Sequence, residues 1–313
     1  MNDNSVPNRA IVSATDSTGT AGTATTNGED GVFVVANPWQ ALRQFTAARI
    51  AQGRVGVSMP TEPQLAFQLA HARARDAVHA PLDATRLLQD LAEVGVAPPA
   101  CVLQLESAAD DRACYLQRPD LGRRLSVASR QQLVAFRAAQ QPAAIAHEPD
   151  ARIYDLALVL ADGLSPLAIN RQAPLFLAAL HGALAGEGWR MAPLTIVRQA
   201  RVAIGDEIGA LLATRLVVVL IGERPGLSAP DSMGVYLTWM PRVGLTDASR
   251  NCISNVREAG LRSADAAVLL HDLLVQATRR QLSGVELKDT SRALAAGDAS
   301  RPLFRLALPL SSG

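Results

Sequence analysis

Residues 216–226 read Leu-Val-Val-Val-Leu-Ile-Gly-Glu-Arg-Pro-Gly, an uninterrupted apolar run that ends in a polar turn containing two glycines. A short strand that is apolar on both faces is typical of a parallel sheet covered by helices on each side. Shorter runs of the same kind precede it at residues 156–160 and 194–197, and helix-like segments separate the three. This alternation predicts an α/β fold.

The second half of the chain, residues 151–288, is therefore predicted to be a Rossmann-like domain with a mainly parallel sheet. Helices are expected at about 166–185, 206–213 and 263–281, and a further strand at 235–239. In such sheets, ligands bind beyond the carboxyl ends of the strands. Here those ends are residues 162–165 and 222–226, both polar and glycine-containing. An alternative interpretation is that the glycines only end the strands and that Glu223 pairs with Arg224 at the surface.

The first half divides into a tail and a helical region. Residues 1–36 are rich in Thr, Ser and Gly and are predicted to be disordered, because they can bury little apolar surface. Residues 37–150 are predicted to be mainly helical, starting with Asn37 as a cap and Pro38 at the first helical position. Helices are expected from Thr61 and over 84–94. The C-terminal extension, residues 289–313, is predicted to pack weakly or to be disordered.

The basic residues are almost all arginine, which excludes some chemistry. The chain has 30 Lys+Arg and 29 Asp+Glu, but Lys288 is its single lysine. An enzyme that forms a Schiff base needs a lysine amine in its site, and a phosphate-binding P-loop needs one beside glycines. The formal net charge of +1 argues against a nucleic-acid binder. We interpret the skew as genomic, except in the motifs quoted below.

Other classes of site also lack their signatures. There is no apolar run of membrane-spanning length, no glycine-rich dinucleotide fingerprint and no metal-binding spacing of Cys or His, so neither a membrane association nor a metal site is expected. Three widely spaced cysteines form no disulfide framework, which predicts a cytoplasmic protein. Cys252 has no His partner in sequence, so we interpret it as a packed or ligand-lining thiol and assign no catalytic residue to this chain.

An ordered set of motifs carries a family resemblance. The motifs are Asn37-Pro38-Trp39, residues 67–79 (FQLAHARARDAVH), 118–125 (RPDLGRRL), 162–165 (DGLS), 201–209 (RVAIGDEIG), 221–227 (IGERPGL) and 252–255 (CISN). In this order and spacing, over residues 37–288, the chain resembles the small subunit of ethanolamine ammonia-lyase. Each motif is weak by itself, whereas the ordered set is specific.

The resemblance implies an adenosylcobalamin-dependent carbon–nitrogen lyase built from two chain types. Such an enzyme converts ethanolamine to acetaldehyde and ammonia by radical chemistry. The large subunit would carry the substrate site, and this chain would close over the cobalamin within a hetero-oligomer. The family's cobalamin contacts fall on Val202, Glu223 and Cys252. Position alone adds Arg201, Arg224 and Ser165 as second-rank candidates, and Arg118, Arg123 and Arg124 as arginines expected to carry function.

Two absences refine these expectations. No histidine stands in the Asp-x-His-x-x-Gly context that replaces the nucleotide base on cobalt, so cobalamin is expected to bind base-on. Some family members begin with an amphipathic helix that directs them into a bacterial microcompartment, whereas the polar tail here has none, which argues against encapsulation.

Two other functions stay open at this stage. One is a free-standing module that binds cobalamin or another small molecule without a lyase partner. The other is an independent small-molecule enzyme that uses the crevice of the α/β domain. The sequence offers the latter no base, nucleophile or metal.

Overall fold

A computed structural model describes residues 34–35, 37–96, 101–140 and 152–287, called the described residues from here on. The predicted tail up to residue 33, the extension 289–313 and Lys288 lie outside them. The chain divides into two compact units, residues 1–60 and 61–313. The predicted boundary near residue 150 falls outside the described residues and stays a prediction.

The first unit is held by a short antiparallel pairing and a capped helical segment. Val35 and Arg54 exchange backbone hydrogen bonds of 2.8 and 3.1 Å. Asn37 accepts a hydrogen bond from the amide of Trp39 at 2.9 Å, and Pro38 follows it, as the sequence predicts. The segment Pro38–Phe45 is a 3-10 helix rather than an α-helix, and it ends before Ile50.

The second unit contains a six-stranded sheet among the described residues, in the order β1-β3-β2-β4-β5-β6. The first four strands in this order run parallel, and β5 and β6 are antiparallel additions. The strands are β1 (Leu103–Glu106), β2 (Tyr154–Ala161), β3 (Thr195–Arg198), β4 (Thr214–Gly222), β5 (Met233–Trp239) and β6 (Arg250–Val256).

The helices of this unit agree closely with the periodicity of the sequence. Each predicted helix from residue 61 onward is present, with ends that differ by up to two residues. Within the described residues they are α1 (Thr61–His79), α2 (Ala84–Glu93), α3 (Arg112–Gln117), α4 (Val127–Gln140), α5 (Pro166–Leu184), α6 (Ile204–Leu211) and α7 (Ser263–Arg280).

Alternate residues of the central strands supply two separate cores. Leu158 and Val218 face a cluster that includes α2, α5 and α7. Their neighbours Val159 and Val219 face a cluster that includes α4 and α6. Side chains along a strand point alternately to opposite faces, so a strand that is buried on both sides must be apolar throughout. This explains the continuous apolar runs of β2 and β4.

The α/β class and the helical N-terminal part are therefore confirmed. The narrower Rossmann-like assignment stays a prediction, because β5 pairs antiparallel with β4 and β6 pairs antiparallel with β5. Two strands lie where the sequence analysis assigned none: β1 comes from the mainly helical region, and β6 contains Cys252.

Candidate functional site

Loops after β2 and β4 meet at the carboxyl end of the parallel sheet. Leu164 donates its amide to the carbonyl of Gly222 at 2.9 Å. A Cβ on Gly163 would lie 2.2 Å from that carbonyl oxygen, and a Cβ on Gly222 would lie 2.0 Å from the carbonyl oxygen of Ser165. Only glycine permits so close a backbone approach, and Gly163 also has a positive φ of 57°.

A cavity of about 410 Å³ opens beside this contact. Three arginines and one glutamate supply most of its charge, and apolar side chains and glycines supply much of the rest. The lining comprises Tyr115, Pro119, Arg123, Gly163, Leu164, Arg201, Val202, Ala203, Ile221, Gly222, Glu223, Arg224, Tyr236 and Asp247. The structure thus brings together four of the six predicted site residues: Val202, Glu223, Arg201 and Arg224.

Tyr115, which the sequence analysis did not single out, forms the floor of this region. It is fully buried, and its hydroxyl donates to the carbonyl of Ala200 at 3.1 Å. The guanidinium carbons of Arg112 and Arg201 lie 4.7 and 4.4 Å from its ring centroid, within cation–π range. Burial raises the pKa of Tyr115 above its ordinary value, so the phenol stays protonated.

Asp162 fixes the chain segment that leads to Arg201. Its carboxylate accepts the amides of Gln199 and Ala200 at 2.8 and 2.9 Å and lies 3.4 Å from Arg112. Burial raises the pKa of Asp162, while the two amides and the guanidinium act in the opposite direction. The turn that carries Gly122 completes this support, since its carbonyl accepts the amide of Arg201 at 2.8 Å.

Glu223 directly follows β4, and its carboxylate is oriented by two donors. Ser232 donates its hydroxyl to Oε2, and the amide of Asn255 donates to the same oxygen at 3.2 Å. Gly234 lies against Oε1, because a Cβ added there would be 3.1 Å from that oxygen. Two of the motifs, at residues 221–227 and 252–255, therefore meet through one side chain.

Cys252 does not line the cavity but lies next to it. It pairs with Tyr236, a lining residue, across β5 and β6. The pKa of the Cys252 thiol is raised, mainly because its sulfur loses hydration. The nearby Glu223 charge also raises this pKa, whereas the Tyr236 hydroxyl lowers it. Tyr236 itself has a raised pKa, mainly through burial. Tyr236 lies in β5, inside the strand predicted at 235–239, but no motif of the sequence distinguishes it as a site residue.

The hydroxyl of Ser165 forms hydrogen bonds within the loop, and Ser165 does not line the cavity. Its hydroxyl donates to the carbonyl of Pro230 at 2.6 Å and accepts the amide of Ala168 at 3.3 Å, which caps α5. The alternative interpretation of the sequence paired Glu223 with Arg224 at the surface. Arg224 is exposed, but among the described residues it forms no ion pair with Glu223.

A different cavity, of about 520 Å³, lies at the amino end of β3 and the end of α5. Its walls are mostly apolar and include His181 and Cys101. It contains no predicted site residue, and it faces away from the carboxyl ends of the parallel strands, where open α/β sheets bind ligands. We therefore take the 410 Å³ cavity as the functional site.

Comparison with known proteins places this site in a family. The family model described as ethanolamine ammonia-lyase light chain (EutC) matches residues 36–288. The chain belongs to this family. Ethanolamine ammonia-lyase small subunits from Ralstonia nicotianae and Pseudomonas aeruginosa are similar to it, with 55% identity over 258 residues and 54% over 266. These alignments cover 82% and 85% of this chain, and 90% and 92% of the relatives.

Membership of the ethanolamine ammonia-lyase light-chain family confirms the sequence-based recognition and assigns the chain to a lyase family whose members are named as small subunits. In the part of the chain that the structure describes, no group of three or more His, Cys, Asp or Glu side chains is arranged to hold a metal ion. No helix there is long and apolar enough to cross a membrane.

Proposed function

We propose that this chain is the small subunit of an adenosylcobalamin-dependent ethanolamine ammonia-lyase and that it closes over one edge of the cofactor. The observation that carries this proposal is the 410 Å³ cavity of a light-chain family member, which brings Val202 and Glu223 together and has Cys252 beside it. The substrate site lies on the large subunit, and the two chains act as a hetero-oligomer.

The composition of the cavity suits a large, partly polar macrocycle. Ligand sites combine apolar walls with a few well-placed polar groups, and drug-sized ligands need about 300–1,000 Å³. Leu164, Val202 and Ile221 supply apolar contact, and Glu223 supplies a carboxylate acceptor. Cobalamin exceeds drug size, so this chain holds only part of it and the large subunit covers the remainder.

Each site residue has a defined task in this proposal. Glu223 accepts hydrogen bonds from amide side chains of the corrin, with its rotamer fixed by Ser232 and Asn255. Val202 packs against the macrocycle, and Cys252 supports that contact through Tyr236. The bound cofactor supplies the radical chemistry, while this chain binds, orients and shields it. Cobalt keeps its own nucleotide base, because no histidine of the chain has the sequence context of a replacement ligand.

The enzyme is proposed to work in the cytoplasm, in keeping with three free cysteines among the described residues. Encapsulation in a microcompartment is not part of the proposal. The predicted tail that argues against it lies outside the described residues.

The decisive experiment assays ethanolamine turnover with adenosylcobalamin, using the purified chain alone and together with the large subunit of a related enzyme. The proposal expects turnover and cofactor binding only with both chains. Turnover by this chain alone would contradict it, and cobalamin binding without activation of any large subunit would favour a free-standing binding module. A holoenzyme spectrum with a histidine of this chain on cobalt would overturn the base-on assignment.

Glu223→Ala tests the contact itself. We expect a weaker cofactor affinity in the two-chain complex with the fold unchanged, and a lower unfolding midpoint because the Ser232 hydroxyl and the Asn255 amide lose their acceptor. Glu258→Gln, an exposed acidic residue outside the cavity, is the control that removes a like charge. An unaltered cofactor dissociation constant in Glu223→Ala would exclude this residue as a contact.

A further inference from the structure

Three arginines that line the 410 Å³ cavity, called the arginine wall from here on, have guanidinium groups without a carboxylate partner among the described residues. They are Arg123, Arg201 and Arg224. Other arginines of the described residues pair with carboxylates, for example Arg130 with Glu207, but these three form no ion pair there. The Nε atom of Arg201 is buried and has no hydrogen-bond partner. Guanidinium groups donate and never accept, so the buried Nε of Arg201 requires an acceptor from outside the described chain.

Backbone amides extend the same wall. Val202 and Ala203 line the cavity immediately before α6 begins, and within the described residues neither amide donates a hydrogen bond. Ala203 occupies the N-cap position of α6 and provides no side-chain cap. The amino end of a helix carries a partial positive charge from its unpaired amides. The amino end of α6 therefore adds to the positive electrostatic potential of the three arginines.

Asp247 also lines the cavity; its side chain is fully exposed and lies 3.5 Å from Nε of Arg250, whereas the other carboxylates close to this wall are engaged. Asp206 pairs with Arg250 at 2.6 and 2.8 Å, and Glu207 accepts Arg130 and the amide of Leu125. Glu223, which precedes Arg224 in the chain, accepts Ser232 and Asn255. Among the residues that line the cavity, the three arginines thus outnumber the two carboxylates, Glu223 and Asp247, and the net charge is positive.

Cationic surface also continues beyond the cavity. A neighbouring cavity of about 430 Å³ shares Arg123 and Ala203 with it and adds Arg124 and Arg130, together with the already engaged carboxylates of Asp206 and Glu207. The overlap places Arg123 at the boundary between the two cavities. An anion approaching from solvent would meet this arginine-lined entrance before it reached Arg201.

We propose that Arg123, Arg201 and Arg224, together with the amides of Val202 and Ala203, form a subsite for a phosphate or phosphodiester anion. Guanidinium forks and free amides match the acceptor-only oxygens of such a group, and charge-assisted bonds of this kind are strong. The proposal rests on the proposed function, under which the anion is the phosphodiester in the nucleotide loop of cobalamin. It also orients the ligand: the phosphodiester lies at the arginine wall and the corrin amides lie at Glu223.

The test uses the two-chain complex and three ligands: adenosylcobalamin, adenosylcobinamide phosphate, and adenosylcobinamide, which lacks the phosphate. The exposed residues Arg123 and Arg224 are each changed to Gln, and the Kd of each ligand is measured. We expect each change to weaken the two phosphate-bearing ligands about tenfold, as for loss of one charged hydrogen bond. Binding of adenosylcobinamide should stay unchanged. Arg280→Gln, an exposed arginine at the end of α7, removes the same charge outside both cavities and should affect no ligand.

Competition with inorganic phosphate separates the two sources of the anion. Phosphate should weaken the binding of adenosylcobalamin but not that of adenosylcobinamide. If phosphate binds through Arg123 and Arg224 while cobalamin is fully bound, the subsite belongs to free phosphate and the assignment to the nucleotide loop is wrong. Equal losses for all three ligands, or no loss for any, would overturn the subsite while leaving cobalamin binding intact. Failure of every corrinoid to bind the wild-type complex would instead contradict the proposed function.

Discussion

Arg250 and Asp206 form a buried, two-pronged ion pair that joins β6 to α6. Both Asp206 oxygens accept from the guanidinium, at 2.6 and 2.8 Å, and the two side chains are 2% and 3% exposed. Arg250 also donates to Thr238 and to the carbonyl of Leu245. The pair fixes the antiparallel edge of the sheet to the helix whose first turn borders the cavity, so its loss should affect the site as well as the stability.

Asp206→Ala tests this link. Removing Asp206 leaves the buried Arg250 with the exposed Asp247, 3.5 Å from its Nε, as its remaining carboxylate partner, and breaking a buried pair typically costs about 3–5 kcal/mol. We expect a loss of this size in the free energy of unfolding, measured by urea denaturation of the isolated chain. The double variant Asp206→Leu with Arg250→Met should recover most of it, since both charges are then absent. A loss below about 1 kcal/mol in the single variant would contradict this account, because that is the range of exposed pairs.

Gly222→Ala tests the close approach of the two loops at the site. The new Cβ would lie 2.0 Å from the carbonyl oxygen of Ser165, and backbone cannot move aside as a flexible side chain can. Overpacking of this kind costs about 1–3 kcal/mol, and the cavity should distort with it. The control is Gly182→Ala on α5, where a Cβ meets nothing within 4 Å. That change should stabilise the chain by about 0.5–1 kcal/mol, as expected for a helical glycine.

The prediction of strands from the sequence succeeded where both faces are buried and failed at the edges. β2 and β4 are central, and burial on both sides makes them continuously apolar. β1 and β6 lie at the two edges, and the polar residues between the buried ones interrupt their apolar patterns. Their strand character depends on pairing with β3 and β5, which no local pattern reveals.

The residues of the candidate site likewise divide into those that the sequence predicts and those that it does not. Val202, Glu223 and Arg224 follow strands that the sequence predicts, so their common edge was predictable. Tyr115 was not, because its contact with Ala200 spans 85 residues and depends on how α3 packs. Ser165 has the sequence position of a site residue, but it also directly precedes Pro166 at the predicted start of a helix, and its hydroxyl caps that helix.

Asp155 should make the stability of the chain depend on acid pH. Its carboxylate accepts two guanidinium hydrogen bonds from Arg190, at 3.0 and 2.8 Å, and these hold the pKa of Asp155 below its ordinary value of 3.8. A lowered pKa stabilises the folded state above pH 3.8, and this contribution is lost as the pH falls through the folded-state value. Because Arg190 is half exposed, we expect about 1 kcal/mol or less.

The measurement compares wild type and Asp155→Asn by urea unfolding from pH 7 down to pH 3. The variant should be less stable at pH 7, and the difference should shrink below pH 4. Glu258→Gln serves as the exposed control and should follow wild type. A difference that stays constant over the whole range would show that the carboxylate charge contributes nothing at this position.

Cys252 should report on the charge of Glu223. The pKa of its thiol lies above the ordinary value of 9.0, through lost hydration first, with Glu223 raising it further and Tyr236 lowering it. In a background where Cys101 and Cys114 are changed to Ser, the rate of alkylation by iodoacetamide should therefore reach half its plateau above pH 9.0, because the thiolate is the reactive form.

Two variants should move this midpoint in opposite directions. Glu223→Gln removes a nearby negative charge and should lower the midpoint, whereas Tyr236→Phe removes the hydroxyl that lowers the thiol pKa and should raise it. Glu258→Gln should leave it unchanged, and near-ultraviolet circular dichroism checks that Tyr236→Phe keeps its packing. If both site variants shift the midpoint in the same direction, Cys252 senses burial alone, and it is not coupled electrostatically to the carboxylate proposed to bind the cofactor.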